Sequence, residues 1–226
     1  MSLEDDSVPE SSRLGTKEYW DSHYDQELRN YEETQDEGEI WFGKQAETRA
    51  VEYILAHSTD LTRVIDIGCG NGHFLRRLRQ RRRVWSALIG TDYSEASIAL
   101  CTRIEKEEPE EDTVIEYEVV DILAAEKLAG GAFDILHDKG TWDAISLGTD
   151  REARRVRYAR ALRGTLKEGG LAVVVSCNYT TAELRAFFEG DGLQFVEELP
   201  EVKTTNAFSF GGVKGSTYST AVFKNV

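Results

Sequence analysis

From residue 63 onward, short apolar runs alternate with amphipathic stretches. Arg63–Ile67, Ala87–Asp92, Val114–Val120, Phe133–His137 and Leu171–Ser176 read as buried strands. Helical spacing separates them. Gly72–Arg82 turns Phe74, Leu75 and Leu78 inward, and a second helix runs from a Ser94 cap to Glu107, stopped by Pro109. A third starts at an Asp150 cap, carries the stripe Ala153, Val156, Ala159, Leu162 and Leu166, and stops at Gly169-Gly170. Thr181–Glu189 predicts a short helix. Residues 193–202 and 217–224 predict two strands with no helix between them, joined by a turn at Gly211-Gly212 to Gly215. Upstream, Trp20, Tyr24, Leu28 and Tyr31 share one face of a helix capped by Thr16. The loop Gly38-Glu39-Ile40-Trp41-Phe42-Gly43 leads to another helix over about 44–57.

Five β-α units with nearly continuous apolar strands predict an α/β fold. It is a Rossmann-like three-layer sandwich whose seven-stranded sheet is mostly parallel, with a C-terminal antiparallel hairpin at one edge. Residues 1–14 are polar and acidic and read as a flexible tail. Residues 15–226 read as one domain, with a helical lid over 15–57 and a nucleoside-binding core over 58–226.

Composition narrows the class. No apolar run approaches the roughly 18 residues of a membrane span. The acidic start lacks the basic and apolar segments of a signal peptide. Three scattered cysteines, Cys69, Cys101 and Cys177, point to reduced thiols and a cytoplasmic location, with the nucleus as a second compartment. The cysteines and four histidines show no metal-ligand spacing. A net charge of −14 repels nucleic-acid phosphates and anionic membranes, and draws basic partners or simply keeps the chain soluble. The arginine runs at 76–83 and 151–163 read as solvated outer faces of helices, or as surfaces meeting an acidic partner or RNA bound to it.

Candidate chemistry centres on Asp66-Ile67-Gly68-Cys69-Gly70-Asn71-Gly72. A dinucleotide site wants G-x-G-x-x-G, but His73 stands where the third glycine should fall. Asp66, Asp92, Asp121 and Asp138 lie at successive strand ends, and ligands of parallel sheets bind at that rim. Four acids there repel a pyrophosphate and welcome a cationic nucleoside such as S-adenosylmethionine. The glycines admit close backbone approach, and the helix beginning near Gly72 offers N–H groups to a carboxylate. Asp92 suits the ribose diol. Tyr93 suits stacking on adenine, and Asp121 suits its amino group.

This series, with Asp121-Ile122, resembles the motifs of the class I, seven-β-strand S-adenosylmethionine-dependent methyltransferases over about residues 44–226. The resemblance implies binding of the cofactor, and of its product S-adenosylhomocysteine, by Asp66, Gly68, Cys69, Gly70, Asn71, Gly72, Asp92, Tyr93, Asp121, Ile122 and Asp138. Asp138-Lys139-Gly140-Thr141-Trp142-Asp143 resembles the D-K-G-T-x-D signature of protein-lysine methyltransferases. With Gly15–Asp21, Gly38–Gly43, Ser176-Cys177-Asn178 and Phe208–Gly212, the chain is similar to the translation elongation factor 1-alpha lysine methyltransferase family past residue 13. That implies N-methylation of a lysine on this basic factor.

A lysine acceptor must lose its proton, which at neutral pH works against roughly 3 pKa units, about 4–5 kcal/mol. Acids hold the cation and aromatics desolvate it. By position in the signature, Asp138 contacts the methionine ammonium or the incoming lysine, Trp142 walls the lysine channel, and Asp143 orients the lysine or a substrate loop. Trp142 and Trp41 also suit plain core packing. Tyr19 and Trp20 suit a cover over the cofactor, and Asn178 the substrate mouth or a helix cap. No single general base stands out, and water can serve. Methylation of another protein or a small amine, and a catalytically silent binding protein of this fold, remain the alternatives.

Overall fold

The computed structural model describes residues 12–82, 84–107, 113–190, 192–200, 209–210, 213–214 and 218–226. Two helices come first, α1 (Lys17–Thr34) and α2 (Gly43–Ala56). The alternating part follows as β1 (Arg63–Ile67), α3 (His73–Arg81), β2 (Ala87–Asp92), α4 (Glu95–Glu107), β3 (Ile115–Val119) and β4 (Phe133–Lys139). After it come α5 (Thr141–Leu147), α6 (Arg151–Thr165), β5 (Leu166–Ser176), α7 (Thr181–Phe188) and β6 (Leu193–Glu198). The chain ends with the short pair β7 (Ser209–Phe210) and β8 (Val213–Lys214), and β9 (Ser219–Asn225).

The main sheet has seven strands in the order β3-β2-β1-β4-β5-β9-β6. β9 runs antiparallel to both β5 and β6, and the other pairings are parallel. The expected Rossmann-like sheet with an antiparallel edge is therefore the fold observed. The chain builds outward from β1 through β2 to β3, then crosses back to β4, so the switch point lies between β1 and β4. Ligands of such sheets bind there. One face of the sheet buries Ile65, Ile67, Leu136 and Val174 under α5, α6 and α7. The other buries Val64, Leu88, Ile135 and Val173 under α2 and α3.

The N-terminal segment is built into this body. Thr16 caps α1 by accepting from the Tyr19 N–H. Leu28 and Tyr31 then pack on Leu100 and Ile104 of α4. α2 buries Ala46, Ala50, Val51 and Ile54 completely.

Several expectations are corrected. β3 leads to β4 without a helix among the described residues, so there are four β-α units and not five. The buried face of α6 is Tyr158, Ala161, Leu162 and Thr165, while Val156 is 52% exposed. The helix docks by its C-terminal half, so the alanine and valine of its first turns never reach the core. Asp150 holds the N-cap position in a left-handed conformation but makes no side-chain cap bond. Gly169 and Gly170 lie inside β5, and a Cβ on Gly170 would stand 2.9 Å from the Phe133 carbonyl oxygen. They shape a strand; the helix has already ended. Arg76 and Arg79 of α3 are buried and pair with Glu37 and Glu105, so this run is not a solvated face. Ser12 to Leu14 are folded: Ser12 caps a 3-10 turn, and the Leu14 carbonyl accepts from the Trp20 indole at 2.8 Å. Residues 1–11, Pro109, residues 201–202 and Phe208 lie outside the described residues. So do Gly211, Gly212 and Gly215 of the expected turn.

Candidate active site

The carboxyl ends of β3, β2, β1, β4 and β5 open into one cavity of about 230 Å³. Its floor is the loop after β1, where extended backbone must reverse in five residues to start α3. Gly68 and Gly70 make the reversal at φ of +62° and +57°. Neither tolerates a side chain. A Cβ on Gly68 would lie 1.9 Å from Thr141 Oγ1, and one on Gly70 would lie 2.6 Å from Tyr24 Oη. The loop is therefore pinned between α5 and α1 as well as open to a ligand. Its ends are tied too: Cys69 N–H donates to the Thr91 carbonyl at 3.0 Å, and Asn71 donates to the Glu37 carbonyl at 2.9 Å.

The acids of these strand ends and of α5 separate into two groups. Asp66, Asp92, Asp121 and Asp143 line the cavity. Asp66 is buried, and its Oδ1 lies 2.7 Å from His137 Nδ1. Asp92 accepts from the backbone N–H groups of Gly70 at 3.1 Å and Ser94 at 3.0 Å. Burial outweighs those bonds and pushes its carboxyl up to about 6. Asp121 is exposed and accepts from the Leu123 N–H at 2.8 Å. Asp143 is raised chiefly by burial, though Ser176 Oγ and the Cys177 N–H both donate to it.

Asp138 is different. It is fully buried and does not line the cavity. Its carboxylate accepts from Thr141 N–H at 2.8 Å, Trp142 N–H at 3.0 Å and Tyr158 Oη. Burial pushes it up to about 7. This corrects its expected contact with ligand or lysine: the chain itself consumes the carboxylate to start α5. Trp142 is corrected likewise. It is 1% exposed, outside the cavity lining, and packed among Tyr158, Tyr179, Phe187 and Phe188. Gly72 also falls outside the lining.

The remaining expected residues meet at the cavity: Trp20, Gly68, Cys69, Gly70, Asn71, Tyr93 and Ile122. Cys69 is held as a thiol by its hydrogen bond with Cys101 and by burial, which push its pKa well up. Trp20, Trp41 and Phe42 form the aromatic wall, with the two indoles 5.3 Å apart and edge to face. Asn178 and Cys177 stand at the β5 rim of the cavity.

Sequence reasoning misses several lining residues, Glu47, Tyr24 and Lys139 among them. Glu47 looks like an exposed helix position, yet it is 1% exposed and held by His73 Nδ1 at 3.0 Å and Arg77 at 3.6 Å. Tyr24 serves in the helix stripe and also touches Gly70. Lys139 sits inside the D-K-G-T string without an assigned role. His137, just beneath the cavity, hides in an apolar run, and only the β1–β4 register sets it opposite Asp66.

A family model described as "Methyltransferase domain" matches residues 58–219. EEF1A lysine methyltransferase 2 of Danio rerio is 41% identical over 215 residues, 94% of this chain and 88% of that protein. The chain belongs to this methyltransferase family. The human protein of the same name is 39% identical, covering 99% of this chain and 90% of its own. Protein-lysine N-methyltransferase efm4 of Schizosaccharomyces pombe is 37% identical, covering 96% and 95%. Among solved structures, magnesium protoporphyrin IX methyltransferase from Synechocystis PCC 6803 with bound SAM matches at TM-score 0.66 and 15% identity. It covers 97% of this chain and 100% of that one. N-methyltransferase NodS from Bradyrhizobium japonicum WM9, in complex with S-adenosyl-l-homocysteine, matches at 0.63 and 17%, covering 91% and 98%. At such identities the likeness is one of fold.

Proposed function

We propose that this methyltransferase uses S-adenosylmethionine to N-methylate a lysine of translation elongation factor 1-alpha. The observation that carries the reading is one cavity running along five strand ends, in a chain whose relatives, similar over nearly their whole length, are named for that activity.

The residues present fit the cofactor. Two side-chain-free positions floor the cavity, and acidic groups outnumber basic ones in its lining. That arrangement suits a sulfonium nucleoside and opposes a pyrophosphate. When bound, the cofactor supplies an activated methyl group to a nucleophile in line with it. Asp92 keeps lone pairs beyond its two backbone bonds for the ribose diol. Tyr93, its hydroxyl 3.4 Å from the Thr16 carbonyl, and Ile122 offer flat apolar contact to adenine.

The acceptor side needs an environment that holds a lysine cation and then favours its neutral form. Trp20, Trp41 and Phe42 supply desolvation and aromatic faces. Asp143, at the β5 rim, supplies the acid. Its two donors hold it in one orientation, so it steers the ammonium without being drawn away by solvent.

Purified protein incubated with labelled S-adenosylmethionine and elongation factor 1-alpha tests the reading. The expected result is label on one lysine, mapped by mass spectrometry. No label on that factor, with transfer to another protein or a small amine, replaces the acceptor. Cofactor binding without transfer to any acceptor supports a silent binding protein.

A further inference from the structure

Lys139 ends β4 and lines the cavity, half-buried. Its ammonium donates to the Trp41 carbonyl at 3.1 Å and sits 5.8 Å from the centre of the Phe42 ring. No salt bridge holds it among the described residues, and the acids that act on it have other partners within the chain. Asp66 faces His137, and Glu47 faces His73 and Arg77. An ammonium has three donors, and taking it out of water without an anion is costly. Burial accordingly pushes the Lys139 pKa down, against the pull of Asp66, Glu47 and Asp138. A cation left in that condition inside a ligand cavity calls for an anionic ligand group.

The sheet says where along the ligand that group lies. Asp92 stands at the end of β2, and β1 separates β2 from β4. Neighbouring strands are about 4.8 Å apart, so Lys139 lies roughly 10 Å along the rim from the ribose acid. A nucleoside held by Asp92 at the end of β2 would have room for its amino-acid tail on the β1 and β4 side of the cavity. The start of α3 does not serve that tail as expected: Gly72 is outside the lining, and the His73 N–H already donates to Asn71 Oδ1 at 3.3 Å. Arg154 is a second cation in the lining without a salt-bridge partner among the described residues, but it packs against Gly148 and acts on Tyr93, on the nucleoside side.

We propose that Lys139 binds the carboxylate of the cofactor's methionine tail. The Trp41 carbonyl holds the lysine in place, so the aromatic loop and the tail share one anchor. This assignment rests on the cofactor reading above.

The test compares two ligands by calorimetry, S-adenosylhomocysteine and its decarboxylated analogue, which differ by that carboxylate alone. Lys139→Gln keeps a donor for the Trp41 carbonyl and removes the charge. It is expected to weaken S-adenosylhomocysteine about 10- to 100-fold and the analogue by less than about threefold, as for a charge-assisted hydrogen bond. Lys139→Arg is expected to retain most of the difference between the ligands, and Arg154→Gln all of it. Unchanged binding of the analogue shows that the variant is folded. Equal weakening of both ligands by Lys139→Gln, no weakening of either, or loss of the difference in Arg154→Gln instead overturns the proposal. If the wild-type protein binds neither ligand, the cofactor reading itself fails and takes this one with it.

Discussion

His137 and Asp66 stand directly opposite each other on β4 and β1, with Nδ1 2.7 Å from Oδ1 and the imidazole stacked 3.6 Å from the Phe74 ring. Both are buried, so the pair is the chief support of an acid at the cavity floor. His137→Ala removes the partner of a buried carboxylate and leaves a void on Phe74. The expected loss is about 3–5 kcal/mol of unfolding free energy, read as a lower urea midpoint with unchanged slope. A loss below about 1 kcal/mol would show that water replaces the imidazole without strain.

Gly70 and Tyr24 make a second testable pair. Gly70→Ala forces a Cβ at φ +57° to within 2.6 Å of Tyr24 Oη. Left-handed backbone alone costs about 1–2 kcal/mol for a residue with a Cβ, and the clash adds to it. Tyr24→Phe removes the clashing oxygen and leaves the ring carbons at 3.4 Å and beyond. Thermal melts should therefore show the double variant more stable than the sum of the singles, by about 1 kcal/mol. Strict additivity would mean that Tyr24 moves aside freely.

The pH dependence of stability should carry the mark of Asp138. Its folded pKa, about 7, stands above the ordinary carboxylate value. The native state thus holds a proton that the unfolded chain releases. Its contribution is fully present below about pH 4 and is lost as pH rises through about 7. Asp138→Asn should reduce the drop in unfolding free energy between pH 5 and 8 by about 2–4 kcal/mol. Urea titrations at both pH values check this, and an unchanged drop assigns the proton to another group.

Two tryptophans should part company on substitution. Trp142→Ala empties a fully buried aromatic cluster and should cost about 3–5 kcal/mol of stability. Trp41→Ala trims a half-buried cavity wall. It should cost about 1 kcal/mol or less in stability and instead raise KM for the protein acceptor. Melting curves and initial rates with varied acceptor separate the outcomes, and a reversal would restore Trp142 to the channel.

The glycine loop, the strand-end acids and the strands themselves were legible because they follow from local rules: apolar runs, a tight turn that only glycine makes, and ligand sites at strand ends. The misassigned residues share a physical cause. Asp138 and Asp92 look alike as strand-end acids, yet one is consumed by the first turn of α5 and the other keeps lone pairs facing the cavity. Trp142 stands one residue from a cavity-lining aspartate, and its helical position turns it 100° away into the core. Ala153 and Val156 match a helical stripe, but α6 touches the sheet only through its later turns.

The sequence by itself determined the strands, the loop that reverses after β1, and the acids that ring it, since these depend on periodicity and backbone sterics. Only the tertiary structure decided which of those acids stay open to a ligand, that Glu47 and Lys139 are drawn into the same cavity, and that His137 supports Asp66. Those outcomes rest on register between strands distant in sequence and on which buried polar groups find partners inside the chain. Asp138 is satisfied by the start of α5, whereas Lys139, the next residue of D-K-G-T, lines the cavity with no salt-bridge partner among the described residues.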